Sequence, residues 1–286
     1  MRQNKSEEIC VSALLDGWLN VMKQQSVRLT SLGMYQSQVN NYIKPLLGEY
    51  LIKELPASAG KDLVRQLEKE GLSPKTARDI AGKFYQALRW GVEQGYDIPQ
   101  LQKPGKSKDD TSRLRILSAE EQVLVERSLG WANKALQNAI ILAMKAGLSV
   151  GELCALSCQD INSEREIMRI HRICQRTSNG LSYLECEARV VPLPKGLSIN
   201  REDEKFEFFL LSPRHSPLEP RLCQLWLKQY LNERGLPEDI TFTALRNTYI
   251  KDLMESGMDF IEISRRSGNK NLNELWQRFG RFYKSA

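Results

Sequence analysis

One stretch of polar residues constrains the fold of this chain more than any other feature. Residues 103–113, KPGKSKDDTSR, contain Pro, Gly, Ser and charged residues but no apolar side chain that could enter a core. Such a composition is typical of an exposed linker. It predicts two domains, over residues 1–102 and 114–286, joined by residues 103–113.

The first hundred residues have apolar side chains at helical spacing and few strand signals. Helices are predicted over residues 9–22, from about residue 30 to Lys44-Pro45, over residues 59–69, and from Ser73-Pro74 to Gly95. The last helix opens with a Ser N-cap and with Pro at its first helical position. Four helices with short turns predict a small bundle.

Beyond the linker, apolar residues recur first at helical spacing, then at strand spacing, and then at helical spacing again. Ser118 and Glu121 form a capping box that begins a helix, and residues 135–145 predict an apolar helix at the centre of the domain. Residues 167–173 alternate, a turn follows at Ser178-Asn179-Gly180, and residues 189–194 complete a short antiparallel sheet. The predicted fold class is therefore mainly α with a small antiparallel β-sheet.

The apolar fraction and the net charge of the chain limit which functions are plausible. The 286 residues are 41% apolar, which is enough for a proper core, and their formal charge is +6. Residues 1–113 hold 17 basic and 13 acidic residues, or +4, which leaves +2 for the rest. A basic balance of this kind suits a polyanionic partner, although many soluble proteins share it.

Targeting, membrane and metal signals are missing from the sequence. Charged residues interrupt the N-terminus, and no apolar run reaches the eighteen or so residues that cross a bilayer. The six scattered cysteines then predict a reduced, cytoplasmic compartment. Cys154 and Cys158 have helical spacing, but no second pair and no neighbouring His accompanies them. We expect small core residues there, and neither a metal nor another cofactor.

Several local motifs follow one another in a defined order. They are Tyr35, Pro45-Leu46-Leu47-Gly48 and Gly71-Leu72-Ser73-Pro74-Lys75-Thr76, then Ala146-Gly147-Leu148-Ser149-Val150-Gly151-Glu152-Leu153, the β-hairpin, Thr243-Ala244-Leu245-Arg246-Asn247-Thr248 and Arg266-Ser267-Gly268-Asn269. In this order they resemble the tyrosine recombinases, or phage integrase family, from about Cys10 to Tyr283. The resemblance implies an N-terminal SAM-like core-binding domain and a C-terminal domain with the fold of the family's catalytic domain.

The resemblance also implies a chemistry that most positions of this chain lack. Family members that cut DNA hold the phosphate between two arginines, move protons with a hairpin lysine and histidines, and attack with a tyrosine. At the expected positions of the first arginine, the two histidines and the nucleophile stand Ser149, Thr243, Asn269 and Arg278. Residues 181–188, where the lysine is expected, contain none. Arg246 alone remains, with Glu152 as a supporting group.

Arg246 has two interpretations. Together with Thr243 and Asn247 it forms a static phosphate pocket, which is the interpretation we favour. Alternatively, it forms a structural ion pair with Glu152 or another carboxylate. Tyr283 is the candidate for a relocated nucleophile; alternatively, it packs against neighbouring aromatic side chains. Tyr249 follows Arg246 too closely on the same helix to be a well-placed nucleophile.

Basic residues at two helices predict contacts with DNA. The predicted contacts are Lys75, Arg78, Lys83, Arg246, Asn247, Arg266 and Lys270. The first three lie near a helix N-terminus, whose free N–H groups suit phosphate, although a solvated helix face is the alternative. The C-terminal helix alternates basic and aromatic residues, which suits either a basic helix face or docking of the aromatic side on another subunit. His171 and His215 are expected to be structural, without an acid–base partner.

The sequence therefore predicts a protein of this family that binds double-stranded DNA, is unable to cleave it, and serves recombination or integration of a mobile element. It would be a cytoplasmic, nucleoid-associated protein of a bacterium or phage, with a homo-oligomer or a partner recombinase held through the C-terminal helix. Two alternatives stay open: an active, divergent recombinase that uses Tyr283, and a protein-interaction module that kept the fold.

Overall fold

The computed structural model describes residues 9–24, 29–105, 114–177, 180–197, 199 and 205–284. The chain divides into two compact units, over residues 1–112 and 113–286, and each has its own hydrophobic core. Most of the predicted linker, residues 106–113, lies outside the described residues, as do Ser178 and Asn179 of the predicted turn. No helix in the described ranges is long and apolar enough to cross a membrane.

Helices build the described part of the first unit. They are α1 (Val11–Gln24), α2 (Leu29–Gln38), α3 (Lys44–Leu47), α4 (Ala59–Lys69) and α5 (Pro74–Glu93). The predicted bounds of α4 are confirmed. The predicted cap of α5 is confirmed too, because Ser73 Oγ accepts a hydrogen bond from Thr76 N at 3.2 Å. Leu14, Ile43 and Phe84 are among the side chains buried between these helices.

The predicted end of the second helix at Lys44-Pro45 is wrong. The helical path continues from α2 through a π-type turn, Val39–Ile43, in which Lys44 N donates to Val39 O, and then through α3. Pro45 is tolerated because it stands in the first turn of α3, where a missing N–H removes no hydrogen bond of that helix. A proline therefore interrupts the α-helical bonding pattern here without ending the segment.

The second unit combines helices with one small sheet, as the sequence predicted. Its elements are α6 (Ala119–Ser128), α7 (Lys134–Ala146), α8 (Val150–Leu153), β1 (Ile161–Asn162), β2 (Ile167–Thr177), β3 (Gly180–Pro192), α9 (Pro220–Glu233), α10 (Phe242–Glu255), α11 (Phe260–Ser267) and α12 (Leu272–Phe279). The Ser118–Glu121 capping box begins α6. Most of α7 is buried, and it packs against α10, which confirms the predicted central helix.

The sheet is antiparallel and has the order β1-β2-β3. Met168 pairs with Val191, and Ile170 pairs with Arg189. The register then shifts, because Arg172 pairs with Glu185, so that His171 lies at an irregularity of β2. Irregularities of this kind redirect side chains. Here β3 passes α11 near Arg189, which brings a hairpin residue to the motif regions of the unit.

Candidate functional site

The site begins at Ser149, the residue predicted to stand at the position of the first arginine. Gly147 ends α7 in the left-handed region with φ +68°, and Ser149 then caps the short helix α8. The backbone N and Oγ of Ser149 donate to Glu152 Oε2 at 2.7 and 2.8 Å, while Glu152 N donates to Ser149 Oγ at 3.4 Å. Ser149 therefore directs its polar groups to Glu152 and holds this carboxylate in one orientation.

Two arginines from distant elements converge on the same carboxylate. Arg189 of β3 donates through Nη1 to Glu152 Oε1, and Arg246 of α10 donates through Nη1 to Glu152 Oε2 at 3.1 Å. Burial by itself raises the pKa of Glu152, but the hydrogen bond from Arg189 and the charges of both arginines outweigh it and hold that pKa below its ordinary value. Glu152 is therefore ionised at neutral pH, and the three side chains together carry one net positive charge.

The C-terminal end of α11 completes the surroundings of both arginines. Arg189 Nε donates to Arg266 O at 3.1 Å, and Arg246 Nη2 donates to Ser267 O at 2.7 Å. Carbonyls at a helix C-terminus carry partial negative charge and lack partners within the helix, so they suit guanidinium groups. Gly268 follows with φ +69°, and a Cβ built there would lie 2.8 Å from Arg189 Nη1. Both its backbone conformation and the guanidinium contact require glycine.

The two arginines differ in how open they are. The Arg189 side chain is 7% exposed, and its Nη2 has no hydrogen-bond partner among the described residues. Arg246 is 18% exposed and uses two of its five N–H groups. Burial lowers the pKa of Arg246, opposed by the charge of Glu152, and the charges of Arg189 and Arg278 act in the same direction as burial. Arg246 therefore forms the predicted ion pair with Glu152, while three of its N–H groups have no hydrogen-bond partner among the described residues. The phosphate pocket stays a prediction.

Arg278, the residue predicted to stand at the nucleophile position, borders a small cleft. The cleft has a volume of about 180 Å³ and lies between the end of α11 and α12. Its polar lining residues are Asn269, Lys270, Asn271, Glu274 and Arg278. Glu274 holds Arg278 only loosely, with Nη1 3.8 Å from Oε1, and the Arg278 side chain is 43% exposed. The cleft therefore presents two cations to solvent, and the charge of one of them, Arg278, acts on Arg246.

The residues at the histidine positions have other surroundings. Thr243 is exposed in the first turn of α10. Asn269 Nδ2 donates to Ser267 Oγ at 2.9 Å, and its backbone bonds to Ser264. Its amide thus stabilises the turn after α11. Neither side chain is a proton-transfer group near neutral pH.

Asn247 does not point to the site. Its side chain is buried, and Nδ2 donates to the backbone carbonyl of Arg115 at 3.1 Å. Thr248, the next residue, binds Leu117 N through Oγ1 at 2.9 Å. These hydrogen bonds hold the segment that precedes α6 against α10, so neither side chain is directed to Glu152. The prediction of Asn247 as a phosphate contact is therefore wrong.

Arg266 and Lys270 lie beside the site, and each forms an ion pair. Arg266 Nε is 2.6 Å from Glu262 Oε1, and Arg265 also binds Glu262. Hydrogen bonds from Arg265 and Arg266 lower the pKa of Glu262 to about 2. Lys270 Nζ is 2.7 Å from Glu187 Oε2, and both side chains are 72% exposed. The exposed pair of Lys270 and Glu187 contributes little to stability, whereas the pair of Arg266 and Glu262 is partly buried.

The two candidate tyrosine nucleophiles are both packed. Tyr283 lies in an aromatic cluster, with its ring centroid 5.9 Å from that of Trp276 and 6.2 Å from that of Phe260. Tyr249 is buried against Gly147, and burial raises the pKa of its hydroxyl. A tyrosine with a raised pKa is a poorer nucleophile because less of it is ionised.

In the first unit the predicted contacts lie along α5. Lys75 is exposed and Arg78 is half-buried, and neither has an ion-pair partner within the described ranges. Lys83 Nζ lies 4.4 Å from the centroid of the Tyr35 ring, which is a cation–π contact. Lys75 and Arg78 are thus free to meet an anion, while Lys83 already packs on an aromatic ring.

Two features escaped the sequence analysis. Arg189 was treated as part of a strand, although it is the closest partner of Glu152. His171 was expected to lack an acid–base partner, which is wrong: Nε2 is 2.9 Å from Asp160 Oδ1, and Nδ1 is 3.0 Å from Glu185 Oε2. The available signal for both was the hairpin itself, since paired strands bring residues of distant sequence position together.

The chain is similar to known recombinases in sequence. The profile described as the phage integrase family matches residues 114–284. The tyrosine recombinase XerA of Thermococcus onnurineus is 25% identical over 229 residues, which cover 77% of this chain and 76% of that protein. The integrase of Escherichia phage HK022 is 24% identical over 252 residues, which cover 85% of this chain and 68% of that protein.

Solved structures agree with the fold. The Tn1549 transposon integrase in complex with transposon right end DNA aligns with a TM-score of 0.78 at 18% identity, covering 97% of this chain and 96% of that chain. A lambda integrase dimer bound to a COC' core site aligns with a TM-score of 0.69 at 18% identity, covering 93% and 97%. The fold predicted from the sequence is confirmed by these similarities.

Proposed function

Because this chain belongs to the phage integrase family of tyrosine recombinases, we propose that it binds double-stranded DNA without cleaving it. The observation that carries the proposal is Arg278. It occupies the nucleophile's position beside Lys270, and its charge acts on Arg246. A cation at that position attracts a phosphate but cannot form a covalent bond to it. The old cleavage site becomes a static phosphate site.

The Glu152 cluster supports a static role. Glu152 engages Ser149, Arg189 and Arg246 at once, so the arginines are held in position by hydrogen bonds without a ligand. Three N–H groups of Arg246 remain for phosphate oxygens, and hydrogen bonds between guanidinium and phosphate are strong. Phosphate can therefore bind without dismantling the ion pair.

Proton transfer has no candidate group at the family's positions. Thr243 and Asn269 replace the histidines, and residues 181–188 contain no lysine. Removing a single donor to a developing negative charge commonly costs about 2.7–4 kcal/mol of barrier. A relocated Tyr283 would restore the nucleophile alone, and it would first have to leave Phe260 and Trp276.

The relatives extend the proposal to partners. The Tn1549 integrase structure contains transposon right end DNA, and lambda integrase forms a dimer on a core site and a tetramer on a Holliday junction. We infer for this chain a role on DNA in recombination or integration of a mobile element, in a homo-oligomer or with a partner recombinase. Residues 1–102 would form the core-binding domain and residues 114–286 the catalytic-like domain.

A gel-shift assay with randomised duplex pools tests the proposal. We expect salt-sensitive, selective binding by the wild type, and about tenfold weaker binding by Arg246→Lys and Arg278→Ala, since each loses hydrogen bonds to a charged oxygen. Arg127→Ala, which changes an exposed arginine of α6, is the matched control. Binding with shallow salt dependence that the site variants leave unchanged would favour a protein-interaction module instead.

Nicked suicide substrates test cleavage directly. On denaturing gels we expect no covalent adduct between the protein and DNA. An adduct that disappears in Tyr283→Phe would overturn the proposal and identify an active recombinase with a relocated nucleophile. The Tyr249→Phe variant distinguishes the second candidate tyrosine.

A further inference from the structure

A cleft of the first unit, here called the α5 cleft, lies between the C-terminal half of α5 and the segment that follows this helix. Its volume is about 340 Å³. Its apolar lining residues are Tyr85, Leu88, Val92, Ile98, Pro99 and Leu101. Val92 is 57% exposed, so part of this apolar lining faces solvent. A concave, largely apolar surface with a few polar groups is typical of a binding site.

Two unpaired cations border the α5 cleft. Arg89 and Lys103 line it and are exposed, and the lining residues, all of them within the described ranges, include no carboxylate. Glu93 and Asp97 are close in sequence, but neither forms an ion pair with Arg89 or Lys103 in the part of the chain that the structure describes. The cleft therefore carries positive charge that an anionic ligand would balance.

The wall opposite α5 offers backbone donors. Ile98 and Lys103 each precede a proline, which favours an extended backbone at both positions. Gln102 holds this wall in place, because its N donates to Ala57 O at 2.8 Å and its O accepts from the Tyr85 hydroxyl at 2.7 Å. The backbone N–H groups of Ile98 and Lys103 have no hydrogen-bond partner among the described residues. Extended segments with free backbone groups can pair with another extended chain.

We propose that the α5 cleft binds an acidic segment of a partner protein in which carboxylates flank an apolar side chain. The apolar side chain packs beside Val92, the carboxylates pair with Arg89 and Lys103, and carbonyls of the segment accept the free N–H groups. Duplex DNA would supply anions but no apolar side chain, and a small carboxylic acid would leave the backbone donors unpaired. A peptide satisfies all three features of the cleft.

The α5 cleft is separate from the proposed phosphate contacts. Arg246 and Arg278 belong to the second unit, whereas the cleft is built by the first. On α5 itself, the predicted DNA contact Arg78 lies eleven residues before Arg89, which is about 16 Å at about 1.5 Å per residue. The proposal therefore goes beyond the proposed function.

Peptide titrations of the whole protein labelled with ¹⁵N test the proposal. The probe is the N-acetylated, C-terminally amidated peptide Glu-Leu-Phe-Glu. We expect it to shift the backbone amide signals of Val92, Ile98 and Lys103 in a saturable way, and to leave those of Lys75 and Arg78 in place. The peptide Gln-Leu-Phe-Gln should bind about tenfold more weakly, since two exposed charge pairs are lost. The peptide Glu-Ser-Ser-Glu, which lacks the apolar side chains, should give no saturable shift.

Variants separate the charged and apolar parts of the cleft. We expect Arg89→Gln and Lys103→Gln each to weaken binding of the probe about threefold, and Val92→Asp to abolish it. The matched controls are Lys69→Gln, which changes an exposed lysine of α4, and Met34→Asp, which changes a 49% exposed side chain of α2. Both should bind like the wild type.

Three results would overturn the proposal. They are equal binding of the Glu and Gln peptides, wild-type affinity in both Gln variants, and shifts of equal size at Lys75 and Arg78, which would indicate unspecific attraction by positive charge. Shifts of Val92 and Ile98 by a duplex oligonucleotide instead of the peptide would assign the cleft to DNA and overturn it as well. The peptide titrations contain no DNA, so their failure would leave the proposed function unaffected.

Discussion

Glu152 and Arg189 form a buried ion pair although they lie 37 residues apart in the chain. Each side chain is 7% exposed, so water screens neither charge effectively. Arg246, 94 residues from Glu152, adds a second guanidinium. The pair joins the start of α8 to β3, and the third partner joins both to α10. The stability of this unit and the phosphate site proposed for it therefore depend on the same cluster.

Removing Arg189 should destabilise the protein. In Arg189→Met, Glu152 stays buried with only Arg246 and Ser149 as partners, and loss of one member of a buried pair typically costs about 3–5 kcal/mol. Because two partners remain, we expect a loss near 3 kcal/mol in the free energy of unfolding, measured by urea denaturation. The exposed residue Arg127, changed to Met, should alter it by less than about 0.5 kcal/mol. Equal effects in the two variants would contradict the structural role of Arg189.

Glu152 should also make stability depend on pH. Its pKa in the folded protein lies below the ordinary value of 4.5. A lowered pKa stabilises the fold at pH values above the unfolded-state pKa, and this contribution is lost as pH falls through the folded-state pKa. We expect the free energy of unfolding to fall more steeply below pH 4.5 in the wild type than in Glu152→Gln. If the free energies of unfolding of the two proteins changed in parallel with pH, another carboxylate would be responsible for the pH dependence. Glu164→Gln, which changes an exposed glutamate, is the control.

Substitutions at two glycines with similar φ angles distinguish the cost of backbone strain from the cost of a steric contact with Arg189. Gly235 has φ +61° and open space around its Cα, whereas a Cβ at Gly268 would lie 2.8 Å from Arg189 Nη1. We expect Gly235→Ala to cost about 1–2 kcal/mol from the left-handed backbone alone. Gly268→Ala should cost at least about 1 kcal/mol more, because the Arg189 guanidinium must shift. Thermal unfolding of both variants measures the difference, and equal costs would show that the guanidinium yields freely.

Restoring a tyrosine at the nucleophile position should not restore cleavage. Arg278→Tyr supplies the attacking group, but Ser149, Thr243 and Asn269 still lack the charge and the proton-transfer groups. We expect no covalent adduct on nicked substrates. Binding should persist with a salt dependence lowered by about 0.9 in the slope of log K against log salt, the loss of one phosphate contact. An adduct in this variant would mean that other residues supply the missing chemistry.

The first unit should contribute its own phosphate contacts. Lys75→Ala and Arg78→Ala remove cations without an ion-pair partner in the described part of the chain. We expect each to lower the same slope by about 0.9, and their double variant by about twice that. Lys61→Ala is the control, because Lys61, which lies on α4, already donates a hydrogen bond to Gln102 Oε1 at 2.8 Å. Unchanged slopes in the double variant would make this helix face a merely solvated one.

Local patterns were sufficient for most elements of the fold. Ser73 with Pro74 marked the start of α5, and Ser118 with Glu121 marked the start of α6, because a cap depends only on neighbouring residues. The same signature occurs at Ser149 and Glu152 and predicts their capping box equally well. This signature concerns the backbone around Ser149, whereas the family resemblance concerns only which side chain stands there. Pro45 predicted the end of the second helix wrongly, because the π-type turn before it is followed by another helical turn, which contains the proline.

The sequence alone predicts most of the elements, the resemblance to the family and the residues that stand at its catalytic positions. Each of these follows from residue identity or from spacing within a few turns. The long-range contacts come from the tertiary structure: Arg189 shares Glu152 with Arg246, Asn247 faces the Arg115 carbonyl, and His171 lies between two carboxylates. These contacts join residues that are far apart in the chain, and the packing of helices and the register of the hairpin create them. A local pattern does not encode that geometry, because the same side chain can turn to solvent, to a phosphate or to a buried partner.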